Sequence, residues 1–220
     1  MLSQRTARRQ TVLPDRGPEV QPSALAGLGI VIHLNAQGTL FREGDPATQV
    51  YRIVSGMVRL YRLSPGGRRQ IVRFAAPGDV LALADGGTHS VTAEAVNDAA
   101  VVAYRRTHLT TLCDGQPALK DFLADSLRRD LQAAEAHVIL LGRLGAVERI
   151  ALFLLEHADA GGRVQLPMGR QDMADYLGLT IETVSRSLSA LRRDGIIEIS
   201  GRHGIAIRDR AAIARAAEGE

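Results

Sequence analysis

The spacing of apolar positions changes about halfway along the chain. Between residues 30 and 104, short apolar and β-branched runs alternate with turns rich in glycine, proline and aspartate. Short strands with closely spaced turns are typical of a compact antiparallel barrel or sandwich. The clearest strands are predicted at residues 50–55, 57–63 and 69–74, with a hairpin turn at 64–67.

A helical spacing begins at Pro117, where proline suits the first turn of a helix. Apolar positions then step by four, three, four and three residues, which is a heptad-like seam. The stretch 138–141 is apolar on more than one side, as expected of a helix that contacts both its own domain and a partner. We therefore predict a dimerisation helix over residues 113–145 and a homodimer. The predicted interface consists of Leu127, Leu131, Ala134, Val138 and Leu141.

The rest of the pattern predicts a winged helix-turn-helix. A helix is expected at 146–157, and two shorter helices follow on either side of Gly178. Strands at 196–200 and 205–208 enclose a glycine-containing turn and form the wing. The fold class is therefore α+β. The predicted order is a flexible arm at 1–23, a β domain at 24–112, the dimerisation helix at 113–145 and the winged helix at 146–220.

The second helix of the helix-turn-helix has one polar and one apolar side. Glu182, Ser185 and Arg186 are spaced i, i+3 and i+4, so they share one side, which we call the reading face. Arginine can donate two hydrogen bonds to guanine, and a carboxylate can accept one from the amine of cytosine. The apolar stripe, which we expect to be buried, consists of Ile181, Val184, Leu188 and Leu191.

A surface ion pair between Glu182 and Arg186 is the alternative explanation of this spacing, and it would stabilise an exposed helix by ~0.3–0.5 kcal/mol. The surroundings favour DNA binding, because Ala174 permits close helix approach, Gly178 suits the turn and Thr180 suits the N-cap. Other side chains are expected to contact phosphates. The candidates are Arg170, Thr180, Thr183, Arg192, Arg193 and Arg202.

The amino-acid composition excludes several kinds of structural and metal site but indicates no function by itself. The 220 residues have a formal net charge of +3, which is compatible with a nucleic-acid partner but too small to indicate one. Cys113 is the only cysteine, which excludes an intrachain disulfide and a four-thiolate iron–sulfur cluster within one subunit. Both a redox role and a structural role stay open for this thiol. No apolar run is long enough for a membrane span, so we expect a soluble cytoplasmic protein.

Enzymatic chemistry and metal binding are not predicted. The chain contains no nucleophile elbow, P-loop or dinucleotide-binding glycine motif. Its six histidines lack the close spacing of a metal site, although axial ligation of haem by His33, His89 or His137 stays open.

Three segments resemble the CRP/FNR family of bacterial transcription regulators. Residues 38–45 and 50–60 resemble its β-roll sensor domain, and residues 141–155 resemble the end of its dimerisation helix and the next helix. Residues 182–186, Glu-Thr-Val-Ser-Arg, match the signature of the branch that binds TTGAT…ATCAA inverted repeats.

The resemblance implies that Arg186 contacts the guanine of this site and that Glu182 and Ser185 contact neighbouring bases. A two-fold symmetric protein then meets half-sites about one helical turn, ~34 Å, apart. The resemblance also implies a jelly-roll β domain of the cyclic-nucleotide-binding type. Double-stranded DNA and RNA polymerase are the implied partners.

The family's sensor domain can bind a cyclic nucleotide through a glutamate and an arginine that this chain lacks. Leu83 stands where the glutamate is expected, and His89 and Ser90 stand where Arg-Ser is expected. Without the arginine, a cyclic phosphate loses its strongest contact. We therefore expect a vestigial effector pocket at these three positions.

Residues 1–40 contain no cysteine, so an N-terminal iron–sulfur cluster is excluded as well. The remaining resemblance is to the FixK-type branch, which implies a regulator that needs no cofactor. The alternative is a sensor of the same fold that needs a small ligand or haem to bind DNA. A protein-interaction module without DNA binding is disfavoured by the intact reading face.

Overall fold

The computed structural model describes residues 29–201 and 203–219, so the predicted arm at 1–23 lies outside the described residues. The N-terminal half of the described chain is made of short strands. They are β1 (Ile30–Leu34), β2 (Thr39–Phe41), β3 (Gln49–Ser55), β4 (Val58–Leu63), β5 (Arg69–Ala75), β6 (Val80–Leu81), β7 (Thr92–Ala95) and β8 (Ala99–Arg105).

Within the described residues these strands form two antiparallel sheets, in the orders β1-β8-β3-β6 and β2-β7-β4-β5. One buried cluster joins them, from Phe41 and Val58 of one sheet to Ile53 and Val101 of the other. Apolar residues on the two inner faces thus form the core, as in other two-layer β structures. The antiparallel β-roll and the hairpin between β4 and β5 are confirmed.

The second half is mainly helical. Its elements are α1 (Arg106–Gly115), α2 (Pro117–Arg143), α3 (Ala146–Glu156), β9 (Arg163–Gln165), α4 (Arg170–Leu177), α5 (Ile181–Arg193), β10 (Ile197–Ser200), β11 (Gly204–Ile207) and α6 (Arg210–Glu218). The last three strands form a sheet in the order β10-β11-β9. The predicted winged helix-turn-helix is confirmed, whereas β9 and α6 were not predicted.

The structure divides the predicted dimerisation helix 113–145 into two helices. The backbone leaves the helical conformation at Gln116, with φ −139° and ψ 88°. The residue before a proline is disfavoured in the α region, so Pro117 ends α1 and begins α2. Cys113 lies in α1 and packs, partly buried, beside a cluster that contains Leu109.

Leu141 differs from the other predicted interface residues. It is half-buried and packs against the core of the winged helix, which contains Phe153 and Leu177. Leu131 and Val138, by contrast, are 61% and 70% exposed. Leu141 therefore packs within its own chain, and only the earlier part of the predicted seam faces outward.

The winged helix has a continuous apolar core of its own. Side chains of α3, α4, α5 and α6 meet there, and Ile150, Phe153, Leu154, Ala174 and Ile213 are completely buried. No helix of the described chain is long and apolar enough to cross a membrane.

Gly56 provides a test of the β-roll. Its φ of +78° is in the left-handed region, and a Cβ at this position would lie 2.4 Å from the Asp98 carbonyl oxygen. We expect Gly56→Ala to lower the free energy of unfolding by about 1–3 kcal/mol from backbone strain alone. Chemical denaturation at a fixed protein concentration measures the loss.

Gly66→Ala is the matched control, because its Cβ would meet nothing within 4 Å and its φ is outside the left-handed region. We expect its unfolding midpoint to stay close to that of the unsubstituted chain. Equal midpoints for the two variants would contradict the assignment of strain to Gly56.

Candidate DNA-binding interface

The turn between α4 and α5 is formed by a glycine and a threonine. Gly178 ends α4 in the left-handed conformation, with φ 64° and ψ 35°, and its N–H donates to the Ala174 carbonyl. Thr180 then caps α5, because its hydroxyl oxygen accepts a hydrogen bond from the Thr183 N–H at 3.2 Å. The predicted roles of Gly178 in the turn and of Thr180 as N-cap are confirmed.

Burial fixes which side of α5 faces the protein. Val184, Leu188 and Leu191 are nearly inaccessible, as predicted. Ile181 was predicted to belong to the same stripe, but it is 37% exposed. As the first residue of α5, Ile181 lies beyond the edge of the core that the next two turns contact.

The reading face lies on the outer side of α5. Glu182 and Arg186 are exposed, and Ser185 is half-buried. Within the described part of the chain, Arg186 makes no hydrogen bond or ion pair, so its guanidinium is free to bind a ligand. The surface ion pair considered as an alternative is therefore not formed in this structure.

The carboxylate of Glu182 turns toward the start of its own helix. Hydrogen bonds from its own backbone N–H and from the Thr180 hydroxyl lower the pKa of Glu182, and the charge of Arg186 adds to this effect. The side chain consequently stays ionised below its ordinary pH range and stays an acceptor.

The first residue of α4 lies beside the reading face. Arg170 Nη1 is 3.3 Å from the Ser185 hydroxyl oxygen, to which it donates a hydrogen bond. A cation and a hydroxyl are thus brought together from residues fifteen positions apart. Arg170 was proposed from sequence as a phosphate contact, and its closeness to Ser185 was not foreseen.

The other backbone candidates are distributed around α5. Arg192 and Arg193 are exposed in its last turn, and Arg193 Nε donates to Asp194 at 3.3 Å. The Thr183 hydroxyl lies 3.1 Å from that of Thr180. Arg202 is outside the described residues.

The residues predicted to line an effector pocket are bonded to other groups of the chain. His89 is buried, its Nδ1 lies 2.7 Å from Asp85 Oδ2, and its ring stacks on Phe41 at 3.8 Å. The Ser90 hydroxyl donates to the other oxygen of Asp85 at 3.1 Å. Leu83 is half-buried and packs against an apolar cluster near α1.

The side chain of Arg106 binds backbone carbonyls of the loop that contains Leu83 and Asp85. Its guanidinium donates to the carbonyl oxygens of Ala47 at 3.0 Å, of Leu83 at 3.2 Å and of Ala82. Residues 82–91 contain no lysine or arginine, and Asp85 adds a negative charge. These residues do not fit a cyclic phosphate, which needs a cation and free donors.

Comparison with protein families identifies two domains. Residues 31–116 match the model of the cyclic nucleotide-binding domain, and residues 148–216 match that of the Crp-like helix-turn-helix domain.

Curated relatives agree with this assignment. Nitrogen fixation regulation protein FixK of Bradyrhizobium diazoefficiens is 41% identical over 179 residues, which are 78% of this chain and 76% of the relative. Transcriptional activatory protein AadR of Rhodopseudomonas palustris is 41% identical over 167 residues, 73% of this chain and 70% of the relative.

Solved structures share this architecture over most of the chain. FixK2 from Bradyrhizobium japonicum superposes with a TM-score of 0.80 at 39% identity, covering 86% of this chain and 96% of FixK2. A CRP-family transcriptional regulator from Thermus thermophilus superposes with a TM-score of 0.72 at 28% identity, covering 85% of this chain and 96% of that one. The chain therefore belongs to the CRP/FNR family of DNA-binding transcription regulators and is FixK-like within it.

Proposed function

We propose that this regulator binds as a homodimer to an inverted repeat of the form TTGAT-N4-ATCAA, without bound cyclic nucleotide or iron–sulfur cluster. The proposal rests above all on the free guanidinium of Arg186 on the exposed side of a capped and well-packed helix. A helix held in this way can enter the major groove without rearranging.

Each residue of the reading face has a proposed partner. Arg186 donates two hydrogen bonds to O6 and N7 of the guanine in TTGAT, and Glu182 accepts from the amine of the paired or adjacent cytosine. Ser185 contacts a neighbouring base edge or a thymine methyl. The residues proposed to contact the phosphate backbone are Arg170, Thr180, Thr183, Arg192, Arg193 and Arg202.

The homodimer is supported by the outer side of α2. Leu127, Leu131, Ala134 and Val138 are exposed along it, and neighbouring Ile139 is 61% exposed. A row of exposed apolar side chains on one helix is typical of a protein–protein interface. Because Leu141 packs within its own chain, we assign it a smaller part in this interface.

Independence from an effector is supported by the bonds that the residues of the predicted pocket already make, from His89 to Asp85 and from Arg106 to the Leu83 carbonyl. AadR is named as a transcriptional activatory protein, which supports activation of transcription by this chain. Activation supports RNA polymerase as a partner, and the cytoplasm as the location.

One experiment tests site, symmetry and effector dependence together. Random duplexes are selected for binding to the purified, effector-free protein. Recovery of TTGAT-N4-ATCAA repeats supports the proposal. Recovery of no sequence unless a small ligand or haem is added favours an effector-dependent sensor and contradicts it.

Arg186→Ala tests the base contact. We expect it to reduce the binding free energy by ~1–3 kcal/mol for each half-site that contains the guanine and to abolish the preference for that base pair. Affinities for the repeat, for a repeat substituted at the guanine and for scrambled DNA are measured by fluorescence anisotropy.

Arg192→Ala serves as the control, since it removes a cation of the same helix that is proposed to touch only phosphate. It should weaken binding to all three duplexes alike and reduce the slope of log affinity against log salt by about 2, which is about 1 for each subunit of the dimer. Equal losses on specific and scrambled DNA for Arg186→Ala would exclude its role in base recognition.

The alanine pair at 134 and 136 tests the interface. Both residues are exposed on α2 and lie roughly 200° apart around the helix, at about 100° per residue. We expect Ala134→Asp to place a charge inside the proposed interface and yield monomers, while Ala136→Asp leaves the dimer intact. Sedimentation velocity distinguishes the two, and a dimeric Ala134→Asp variant would refute the interface.

A further inference from the structure

Two arginines of the β-roll and two aspartates of α4 form an ion network between the domains. Arg59 Nη1 of β4 lies 3.0 Å from Asp172 Oδ2, and Arg69 of β5 bonds the other oxygen of Asp172. Arg69 Nε also lies 2.7 Å from Asp175 Oδ2. We call these four residues the interdomain network. Arg59 is further held within the β-roll by Glu94.

The interdomain network is largely buried. Side chains of Arg59, Asp172 and Asp175 are only 9%, 10% and 12% exposed. Burial alone would lower the pKa of Arg69, but Asp175 and Asp172 outweigh it and raise this pKa above its ordinary value. An ion in such a place is costly once its partner is removed. Asp172 and Asp175 therefore depend on the arginines of the β-roll to compensate their charge.

A second contact holds the other end of α4. The Tyr176 carbonyl accepts hydrogen bonds from His137 Nε2 of α2 at 2.8 Å and from Gln70 Nε2 of β5 at 3.3 Å. The centre of the Tyr176 ring is 4.1 Å from that of the His137 ring, on which it stacks, and 5.3 Å from that of the Phe74 ring. Carbonyls in the last turn of a helix have no partner within it, and here the β-roll and α2 provide the partners.

The covalent connection between the domains is short. Residues 144–145 separate α2 from α3, and Arg149 bridges the Leu141, Leu144 and Leu177 carbonyls beside this link. These bonds lie near the C-terminal end of α4. Asp172 lies in the first turn of α4, so its ion pairs attach the opposite end of that helix to the β-roll.

We propose that the interdomain network positions the recognition helix, in place of a bound effector. Arg59 and Arg69 orient α4, and α4 orients α5 through the packing of Ala174 and Val184. In the homodimer this sets the separation between the two reading faces. Arg59, Arg69, Asp172 and Asp175 are positioning residues for DNA binding, and this inference rests on the homodimer and inverted repeat of the proposed function.

The first measurement needs no DNA. Full-length chains that contain Cys113→Ser carry spin labels at Val54→Cys of β3 and Ser189→Cys of α5, both of which are exposed positions. Labelled chains are diluted with unlabelled ones, so the distance measured by pulsed electron resonance is within one chain. We expect a narrow distance distribution that broadens in Arg69→Gln and in Asp175→Asn.

Arg62→Gln is the matched control. Arg62 is an arginine of β4 that pairs with Glu43 within the β-roll, at 2.7 Å, and does not cross the domain boundary. Its variant should keep the narrow distribution. A distribution that stays narrow in both Arg69→Gln and Asp175→Asn would overturn the proposal, whether or not the protein binds DNA.

The second measurement compares duplexes whose half-sites are separated by the selected spacer or by one base pair more or less. The unsubstituted dimer should prefer the selected spacer, and Arg69→Gln should reduce that preference by about tenfold while sedimentation still shows a dimer. The double variant Arg69→Gln with Asp175→Asn should lose no more than Arg69→Gln alone, since the ion pair that Asp175→Asn breaks is already lost in Arg69→Gln.

Failures of the two proposals are distinguishable. An unsubstituted protein that binds no inverted repeat would contradict the proposed function, and the spin-label distances would still decide the domain contact. A spacer preference that is unchanged in both Arg69→Gln and Asp175→Asn, in a protein that binds the repeat, would overturn the positioning role alone.

Discussion

The burial of one side of α5 is the constraint on which the DNA-binding end of this molecule depends. Val184, Leu188 and Leu191 are part of the core, so α5 cannot turn about its axis without exposing them to water. Ala174 lets α4 approach closely, and the cap at Thr180 sets where α5 begins. The polar side chains on the opposite side of α5 therefore face away from the protein core.

Hydrogen bonds, rather than apolar burial, fix the loop of the β-roll at the predicted effector pocket. Residues 31–116 match the cyclic nucleotide-binding domain, but the polar side chains at the predicted effector pocket are bonded to other groups of the β-roll. Arg106 bonds carbonyls that a loose loop would leave unpaired, and Asp85 accepts from His89 and Ser90. Because buried polar groups need partners, these contacts make the loop stable as it stands.

The sequence predicts those features of the fold that depend on residues close together in the chain. The strands, the long helix, the wing and the reading face follow from periodicity and turn residues over windows of about ten to twenty positions. Leu141 and Ile181 were assigned to the wrong surroundings, because periodicity shows which residues share a side of a helix but not which neighbour covers that side. β9 has only three residues, too few for any period to emerge.

Contacts between residues far apart in the chain could not be predicted from periodicity and turn residues. Arg59 and Asp172 are 113 positions apart, and nothing near either one marks it as the partner of the other. Arginines on exposed-looking strands and aspartates in the first turn of a helix are ordinary surface features. Arg170 beside Ser185 is a similar case, since only the three-dimensional turn brings the two together.

The exposed apolar side of α2 has a consequence for how such a protein is controlled. Under the proposed homodimer, association is second order, so the population of dimers at low abundance grows with the square of the number of free chains. A regulator that needs no ligand then responds to its own copy number. Its activity is then controlled by its rates of synthesis and proteolysis. A modest change in expression produces a proportionally larger change in promoter occupancy.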